Sequence, residues 1–353
     1  MNENSKAPYV SVIIPAFNEE NVIEDNLNEV AEFLASSLGP DRSFEIIAVD
    51  DGSSDNTGKI LDRLSQERNY LIALHHPRNL GRGRGLRTGF ERARGRFIFT
   101  LDSDLSYTPD HITKLLFPLE TGQADVALAS AYHPKGGVLN VPFRRALTSR
   151  LGNWLLSRSL GGELKTVTCL VRGYTKEVIE SLELFSDDKE IHLEIIQKAR
   201  MFGFKIIEVP AELKWRSNKR TKGKKGLSLG DFREMASRHL FFNFLFRPSM
   251  LIWLPILILG VVFIALSVMI VIGYQHILAQ QPMDMSWLRF YLALREHIIF
   301  AKISYFGWGL CLLLLFQFTS LVFIAKQSNH HYQETFSFLS RLSRKLKDME
   351  KKE

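Results

Sequence analysis

Phe97-Ile98-Phe99-Thr100-Leu101-Asp102-Ser103-Asp104 joins an apolar run to two carboxylates one residue apart, and Leu105-Ser106-Tyr107-Thr108-Pro109 follows directly. A run of this length and composition reads as a buried strand. Its end would deliver negative charge to an exposed sheet edge, where a hard divalent cation bound to phosphates could neutralise it. Asp, Ser and Pro also favour turns, so a plain strand-to-turn junction has the same composition. The surroundings decide between the two readings.

Upstream, Tyr9-Val10-Ser11-Val12-Ile13-Ile14-Pro15 reads as another buried strand, followed by Ala16-Phe17-Asn18-Glu19-Glu20 and a helical pattern from Val22 to Leu38. Phe44 to Val49 is a further strand closed by Asp50-Asp51-Gly52-Ser53-Ser54-Asp55, with a helix expected over Thr57 to Glu67 and a strand over Leu71 to His75. Strands alternating with helices predict an α/β fold with a mostly parallel sheet, whose ligands bind beyond the carboxyl ends of the strands. Taken alone, Asp50 to Asp55 either serves such a site or caps the following helix. Asn79-Leu80-Gly81-Arg82-Gly83-Arg84-Gly85 is like a phosphate-cradling glycine loop before a helix, but it does not follow the nucleoside-triphosphate loop pattern.

The 353 residues leave room for a second, smaller part beyond this α/β core. Met250 to Ile272 and Ile303 to Ala325 are 23 residues each and contain no charged side chain. At about 1.5 Å per residue each can cross a hydrocarbon layer of about 30 Å, and they read as transmembrane helices rather than a pair of buried core helices. The segment Gly230 to Phe246 alternates Phe232, Met235, Leu240, Phe241, Phe244 and Leu245 with Arg233, Arg238 and His239, as an amphipathic interfacial helix would. The expected organisation is therefore a catalytic domain over 1–228, an interfacial helix over 229–248, a helical hairpin with its connecting loop over 249–326 and a basic tail over 327–353. Trp287, Phe290 and Tyr291 in that loop would anchor at the far interface.

Met1 to Tyr9 is polar with no apolar core of a secretory signal. Arg233, Arg238 and Arg247 precede the first span, and Lys326, Arg341, Arg344, Lys345 and Lys347 follow the second, while the connecting loop has only Arg289, Arg295 and Lys302. By the positive-inside rule both termini and the catalytic domain are expected in the cytoplasm, at the cell membrane or, in a eukaryote, the endoplasmic reticulum membrane. The formal charge is +7, but the basic residues cluster between Lys214 and Lys225 and beside the spans, which favours anionic lipid or a lipid phosphate over nucleic acid. Two cysteines, Cys169 and Cys311, make neither a disulfide framework nor a zinc site. The histidines, among them His75, His76, His192, His330 and His331, show no metal-ligand spacing.

Val12-Ile13-Ile14-Pro15-Ala16-Phe17-Asn18-Glu19, Val49-Asp50-Asp51-Gly52-Ser53, Asn79-Leu80-Gly81 and Asp102-Ser103-Asp104 stand in the order expected of inverting glycosyltransferases of family 2 with the GT-A fold. Over roughly residues 9 to 225 the chain resembles polyprenyl-phosphate hexosyltransferases, especially dolichyl-phosphate mannose synthases: Asp102-Ser103-Asp104-Leu105-Ser106 with Pro109, Lys135-Gly136-Gly137-Val138, Phe143-Arg144-Arg145 and Ser149-Arg150-Leu151-Gly152-Asn153 carry that likeness. The resemblance implies that Pro15, Phe17, Glu19, Val49, Asp51, Asp102 and Ser106 bind a nucleotide diphosphate sugar, GDP-mannose above all. It implies that Asp102 and Asp104 are the catalytic pair and hold Mg²⁺ or Mn²⁺ on the diphosphate, easing departure of the nucleotide. It further implies that Arg145, Arg150, Arg216, Lys219 and Lys222 surround the phosphate of a dolichyl or polyprenyl acceptor at the bilayer, and that the product feeds glycan or protein glycosylation.

A lipid phosphate arrives ionised and needs positioning cations rather than a general base. Glu194, on an expected helix, resembles an acidic position of the family by placement alone; it either orients a basic residue or faces solvent. Ala131 stands where mannose synthases have Arg, Thr166-Val167-Thr168-Cys169 where they have Asp-Leu-Thr-Gly, and Tyr107 where His is common. These differences keep open a UDP-sugar donor carrying glucose or an N-acetylhexosamine. A processive polysaccharide synthase would carry Gln-x-x-Arg-Trp and more spans, and neither is present. A catalytically silent protein binding anionic lipid is the alternative of another class.

Overall fold

A computed structural model describes residues 7–159, 162–214, 249–280 and 286–350. The chain divides into two compact units, Met1–His239 with Phe336–Glu353, and Leu240–Thr335. The expected interfacial helix over 229–248 lies outside the described residues.

The first unit is an α/β sandwich. In chain order its elements are β1 (Val10–Ala16), α1 (Ile23–Ser37), β2 (Phe44–Asp50), α2 (Thr57–Glu67), β3 (Leu71–His75), α3 (Arg82–Arg92), β4 (Phe97–Thr100), α4 (His111–Glu120), β5 (Val126–Ser130), β6 (Gly137–Leu139), α5 (Phe143–Ser159), β7 (Arg172–Thr175), α6 (Lys176–Ser181), α7 (Ile191–Met201), β8 (Ile206–Pro210) and β9 (Glu212–Lys214). Seven strands form one sheet in the order β3-β2-β1-β4-β7-β5-β8, and β6 pairs with β9 in a separate parallel ribbon. β1 runs parallel to β2 and β4, β2 to β3, and β5 to β8, while β7 is antiparallel to both β4 and β5. Six strands therefore share a direction and β7 alone is reversed.

The strands are apolar because helices cover both faces: Val10, Val12, Ile13, Ile46, Ile47, Ala48 and Val49 are fully buried. α1 places Ile23, Leu27, Val30 and Leu34 on one stripe, all inaccessible to solvent. Burying each such side chain contributes roughly 1.5–3 kcal/mol, which fixes the helix against the sheet without a side-chain N-cap.

Direction sets where chemistry gathers. β1, β2, β4 and β5 end at Ala16, Asp50, Thr100 and Ser130, so Phe17 to Glu19, Asp51, Leu101 to Asp104 and Ala131 to Tyr132 emerge at one rim. Because β7 is reversed, with Arg172 opposite Thr100, the segment leading into it reaches the same rim. A sheet with this topology opens its ligand crevice there.

The second unit holds α8 (Ser249–Gln280), α9 (Ser286–Phe300) and the part of α10 (Lys302–Glu350) that precedes Phe336. Ile252–Gln280 and Lys302–Ser328 are long and apolar enough to cross a membrane; their most apolar windows are 0% and 11% buried, unlike core helices of a soluble protein. Trp308 Nε1 donates to Ser267 Oγ at 2.8 Å, and its ring stacks on Phe263. Where the sequence suggested only a connecting loop, α9 forms, carrying the exposed Trp287, Phe290 and Tyr291.

Candidate active site

The turn after β4 is built to aim carboxylates outward. Leu105 is buried with φ 45, in the left-handed region that L residues avoid, and its N–H donates to the carbonyl of Asp102 at 3.1 Å. Such backbone costs on the order of 1–3 kcal/mol and persists only where its surroundings hold it. Asn26 Nδ2 secures the carbonyl of Ser103 at 2.7 Å, while Asp104 Oδ1 accepts from the N–H of Ser106 at 3.0 Å and from its hydroxyl at 2.6 Å. Arg82 Nη1, at the start of α3, lies 3.7 Å from Asp102 Oδ1.

Asp102, Asp104, Ser106 and Arg145 line one cavity of about 250 Å³, together with Arg82, Tyr107, Tyr132, Ser149, Asn153, Thr166, Thr168 and Cys169. The far wall is the segment before β7. Asn153 Oδ1 accepts the N–H groups of Val167 and Thr168 at 2.8 and 3.1 Å. From behind, the fully buried Arg172 donates to the carbonyls of Cys169, His192 and Val167 at 2.7, 2.8 and 2.6 Å. A guanidinium spends its donors on backbone here because the turn presents its carbonyls inward. Burial, then the negative charge of Asp102, pushes the Cys169 thiol up to about 11, so it lines the cavity uncharged. Burial and the neighbouring Cys169 hold the Tyr107 phenol well above its ordinary range.

Among the described residues no group of three or more His, Cys, Asp or Glu could hold a metal ion by itself. Asp102 and Asp104 fit a different kind of site. Magnesium-like ions keep several waters and are bound through one or two carboxylates plus substrate phosphates. Two acidic side chains on a cavity wall, with Arg82 beside one and Arg145 on the same lining, suit a cation that arrives with a diphosphate.

The nucleotide-side residues are placed less uniformly than the sequence suggested. Phe17 is exposed and Pro15 and Glu19 are partly so, at the end of β1, yet none of them lines the cavity of the carboxylates. Val49 is fully buried and packs toward Gly85 of α3, so its side chain can only shape the floor beneath a ligand. Asp51 is also buried: its Oδ1 accepts the Leu80 N–H and lies 2.8 Å from His76 Nδ1, and its Oδ2 accepts the Gly81 N–H, both amide bonds being 2.9 Å. In this arrangement it holds the glycine turn. Gly81 has φ 100, and a Cβ there would sit 2.3 Å from the carbonyl oxygen of Asp187.

Glu194, left open between orienting a base and facing solvent, is buried and accepts the N–H groups of Phe185 and Ser186 at 3.0 and 2.9 Å, with Lys198 Nζ 2.6 Å away. Burial opposes its ionisation, but Lys198 and these amides hold its carboxyl below the usual range. It thereby secures the loop whose Asp187 carbonyl accepts the Arg84 N–H at 3.0 Å.

On the acceptor side, of the expected cations among the described residues, Arg145 lines the cavity and Arg150 does not. Arg150 lies five residues further along α5, on its exposed surface, about 140° around a helix of 3.6 residues per turn. Arg216, Lys219 and Lys222 lie outside the described residues. The contribution of Arg82 went unread in the sequence; its signal was a basic residue inside a glycine turn opening a helix.

Residues 11–183 match the family described as glycosyl transferase family 2. The chain is 33% identical over 207 residues to glycosyltransferase AglD of Haloferax volcanii, a stretch covering 58% of this chain and 32% of that protein. It is 30% identical over 183 residues to an undecaprenyl-phosphate 4-deoxy-4-formamido-L-arabinose transferase of Shewanella sediminis, covering 52% of this chain and 53% of the relative. A polyprenol monophosphomannose synthase of Mycolicibacterium smegmatis is 30% identical over 206 residues, or 56% of this chain and 75% of that one. Thus the chain spans a third to about half of the length of the first two relatives. Glucosyl-3-phosphoglycerate synthase from Mycobacterium tuberculosis, crystallised with Mn²⁺, UDP and phosphoglyceric acid, superposes with a TM-score of 0.50 at 21% identity, covering 67% of this chain and 78% of that one. That likeness speaks for the fold.

Proposed function

The chain belongs to glycosyltransferase family 2, and from that premise we propose that it transfers one sugar, with inversion, from a nucleotide diphosphate sugar to a polyprenyl or dolichyl phosphate. The observation that carries this reading is the shared lining of one cavity by Asp102, Asp104 and Arg145. The two acidic groups would serve the donor diphosphate, and the cation on the same lining an anionic acceptor.

In this reading Asp102 and Asp104 would hold Mg²⁺ or Mn²⁺, which when bound would supply Lewis-acid stabilisation to the departing diphosphate. Ser106 fixes the rotamer of Asp104, and Asn26 fixes the turn through Ser103. Arg82 adds positive charge where the leaving group accumulates negative charge. Arg145 draws the acceptor phosphate into line. An acceptor oxygen then forms the bond to the anomeric carbon from the side opposite the diphosphate. The bond from that carbon to the diphosphate oxygen breaks, and its electron pair leaves with the nucleotide. Because the acceptor is already ionised, the chain needs no general base. Glu194 is engaged elsewhere, in keeping with this.

GDP-mannose is the donor favoured by the resemblance to mannose synthases. The buried Ala131, in place of their Arg, removes one contact expected of a mannose synthase and keeps open a UDP-sugar donor, with glucose or an N-acetylhexosamine transferred. The apolar helices α8 and α10 would anchor the enzyme in the cell or endoplasmic reticulum membrane, with the catalytic domain and both termini in the cytoplasm. The test is product formation by purified full chain with polyprenyl phosphate, Mg²⁺ or Mn²⁺ and a panel of radiolabelled GDP- and UDP-sugars. Absence of any lipid-linked sugar across the panel refutes the transferase reading and favours a silent lipid-binding protein.

A further inference from the structure

The stretch between α6 and α7 lies against the glycine turn that opens α3. The backbone of residues 186–188 is so close to Gly83 that a Cβ there would sit 2.6 Å from the carbonyl oxygens of both Ser186 and Asp188. At Gly81 the obstacle is the carbonyl oxygen of Asp187, which also accepts the Arg84 N–H. Further along α3, Arg87 Nη1 donates to the Phe185 carbonyl at 3.0 Å and to Asp187 Oδ1 at 2.8 Å. Two backbones approach this closely only where a side chain is missing, so a displacement of the loop is felt by residues 81 to 84.

The loop is held in turn by an ion pair of α7. Glu194, 3% exposed in the first turn of that helix, gives one carboxylate oxygen to the Phe185 N–H and the other to the Ser186 N–H. Lys198 Nζ lies 2.6 Å from Glu194 Oε1, donates to the carbonyl of Glu183 and sits 4.4 Å from the centre of the Phe185 ring. Irregular backbone must find partners for its amides, and here a buried acid supplies them. Two neighbouring donors require two acceptor atoms. A carboxamide has one, and would turn its NH₂ group on the second donor.

The turn carries Arg82, whose Nη1 is 3.7 Å from Asp102 Oδ1. Its side chain is 42% exposed, so the backbone beneath it has to set its aim. Asp51 holds that backbone at Leu80 and Gly81, and Glu194 reaches it at Gly83 and Arg84 by way of the loop.

We propose that Glu194 is a positioning residue for the donor: through residues 185–188 it fixes the backbone of Gly83 and Arg84, and with it the Arg82 guanidinium beside the carboxylate turn. The role of Arg82 at a donor diphosphate rests on the transferase reading; the link from Glu194 to Arg84 does not.

The test measures Mn²⁺-dependent binding of GDP and of UDP to the purified full chain by calorimetry, beside transfer to polyprenyl phosphate. In Glu194→Gln the affinity for the nucleotide that the wild type binds should fall roughly 10-fold, with KM for polyprenyl phosphate unchanged. Hydrogen exchange at the Arg84 amide should quicken. Gly83→Ala is favourable to a helix by intrinsic propensity but drives a Cβ into the loop, and it should reproduce both effects. In an Arg82→Gln background, Glu194→Gln should cost little further affinity, because residues acting through one network are not additive. Full additivity there overturns the proposal. Wild-type nucleotide affinity or wild-type Arg84 exchange in Glu194→Gln also overturns it, as does a loss confined to turnover, which a group acting on the acceptor would give. So does a wild type that binds neither nucleotide. If Glu194→Gln fails to fold, Gly83→Ala and its combination with Arg82→Gln decide alone. Nucleotide binding coupled to Glu194 without transfer of any sugar would leave the positioning role standing and sink the transferase reading. Transfer by the wild type with nucleotide affinity unchanged in both variants would do the reverse.

Discussion

The backbone N–H of Lys214 donates to the carbonyl of Ser106 at 2.8 Å. Ser106 also orients Asp104, so the end of β9 is tied to the carboxylate turn by a main-chain bond that leaves side chains free to vary. β9 is held in turn by its parallel pairing with β6. Just beyond Lys214 the sequence enters the basic run Trp215 to Lys225. That continuity in the sequence is in keeping with what the resemblance implies, Arg216, Lys219 and Lys222 at the acceptor phosphate. Replacing Lys219 and Lys222 together by Gln should raise KM for polyprenyl phosphate and spare nucleotide binding; equal losses in both would count against the assignment.

Asp104→Asn removes one negative charge from a partly exposed carboxylate on a cavity wall. Turnover should fall roughly 100-fold or more, the equivalent of about 2.7 kcal/mol of lost transition-state stabilisation. Thermal unfolding should be nearly unchanged, because the carboxamide oxygen can still accept from Ser106. Turnover near the wild-type value would refute the metal role.

Arg145 and Arg150 sit on the same helix, and only Arg145 lines the cavity. With a short, water-soluble prenyl phosphate as acceptor, Arg145→Ala should weaken acceptor use strongly and Arg150→Ala little. Indistinguishable effects would show that the cavity is not the acceptor's entrance.

Asp51→Ala leaves the N–H groups of Leu80 and Gly81 without their carboxylate acceptor. Buried unsatisfied donors cost about 1–3 kcal/mol, so the urea midpoint should drop and hydrogen exchange at Leu80 and Gly81 should quicken. Nucleotide affinity should fall with them, because the glycine turn loses its support. Unchanged exchange at those amides would refute the positioning role.

His111 is buried, and burial holds its pKa below the ordinary imidazole value. Its Nε2 accepts the N–H of Glu212 at 3.1 Å, so the proton resides on Nδ1, which donates to the carbonyl of Thr108 at 2.9 Å. Below about pH 6.5 the unfolded chain binds a proton that the folded one resists, so the stability contributed by this site is present above that pH and lost as pH falls. His111→Gln should flatten the dependence of the unfolding midpoint between about pH 5 and 7. A slope as steep as that of the wild type would remove His111 as its source.

Much of the core was legible because its signals are local. Phe44 to Val49, Leu71 to His75 and Phe97 to Leu101 are apolar runs bounded by turn residues, and they fold as β2, β3 and β4 within a residue or two of the expected limits. The reversed β7 was not. Arg172-Gly173-Tyr174-Thr175 is four residues long, and its arginine is fully buried on three carbonyls that only the folded turn supplies. Hydropathy assigns such a residue to the surface, and nothing nearby in sequence contradicts it. The engagements of Asp51 and Glu194 were out of reach in the same way: their partners at Leu80, Gly81, Phe185 and Ser186 depend on how loops meet.

By itself the sequence determined the alternation of strand and helix, the pair of charge-free helices, the family and the carboxylates at the end of β4. Each is written in spacing or residue type over a few consecutive positions. Only the tertiary structure decided which acids face a cavity and which hold up loops, that Arg145 turns inward and Arg150 outward, and that Arg82 reaches Asp102. Those outcomes depend on strand direction and helix rotation, which are fixed by burial of side chains distant along the chain.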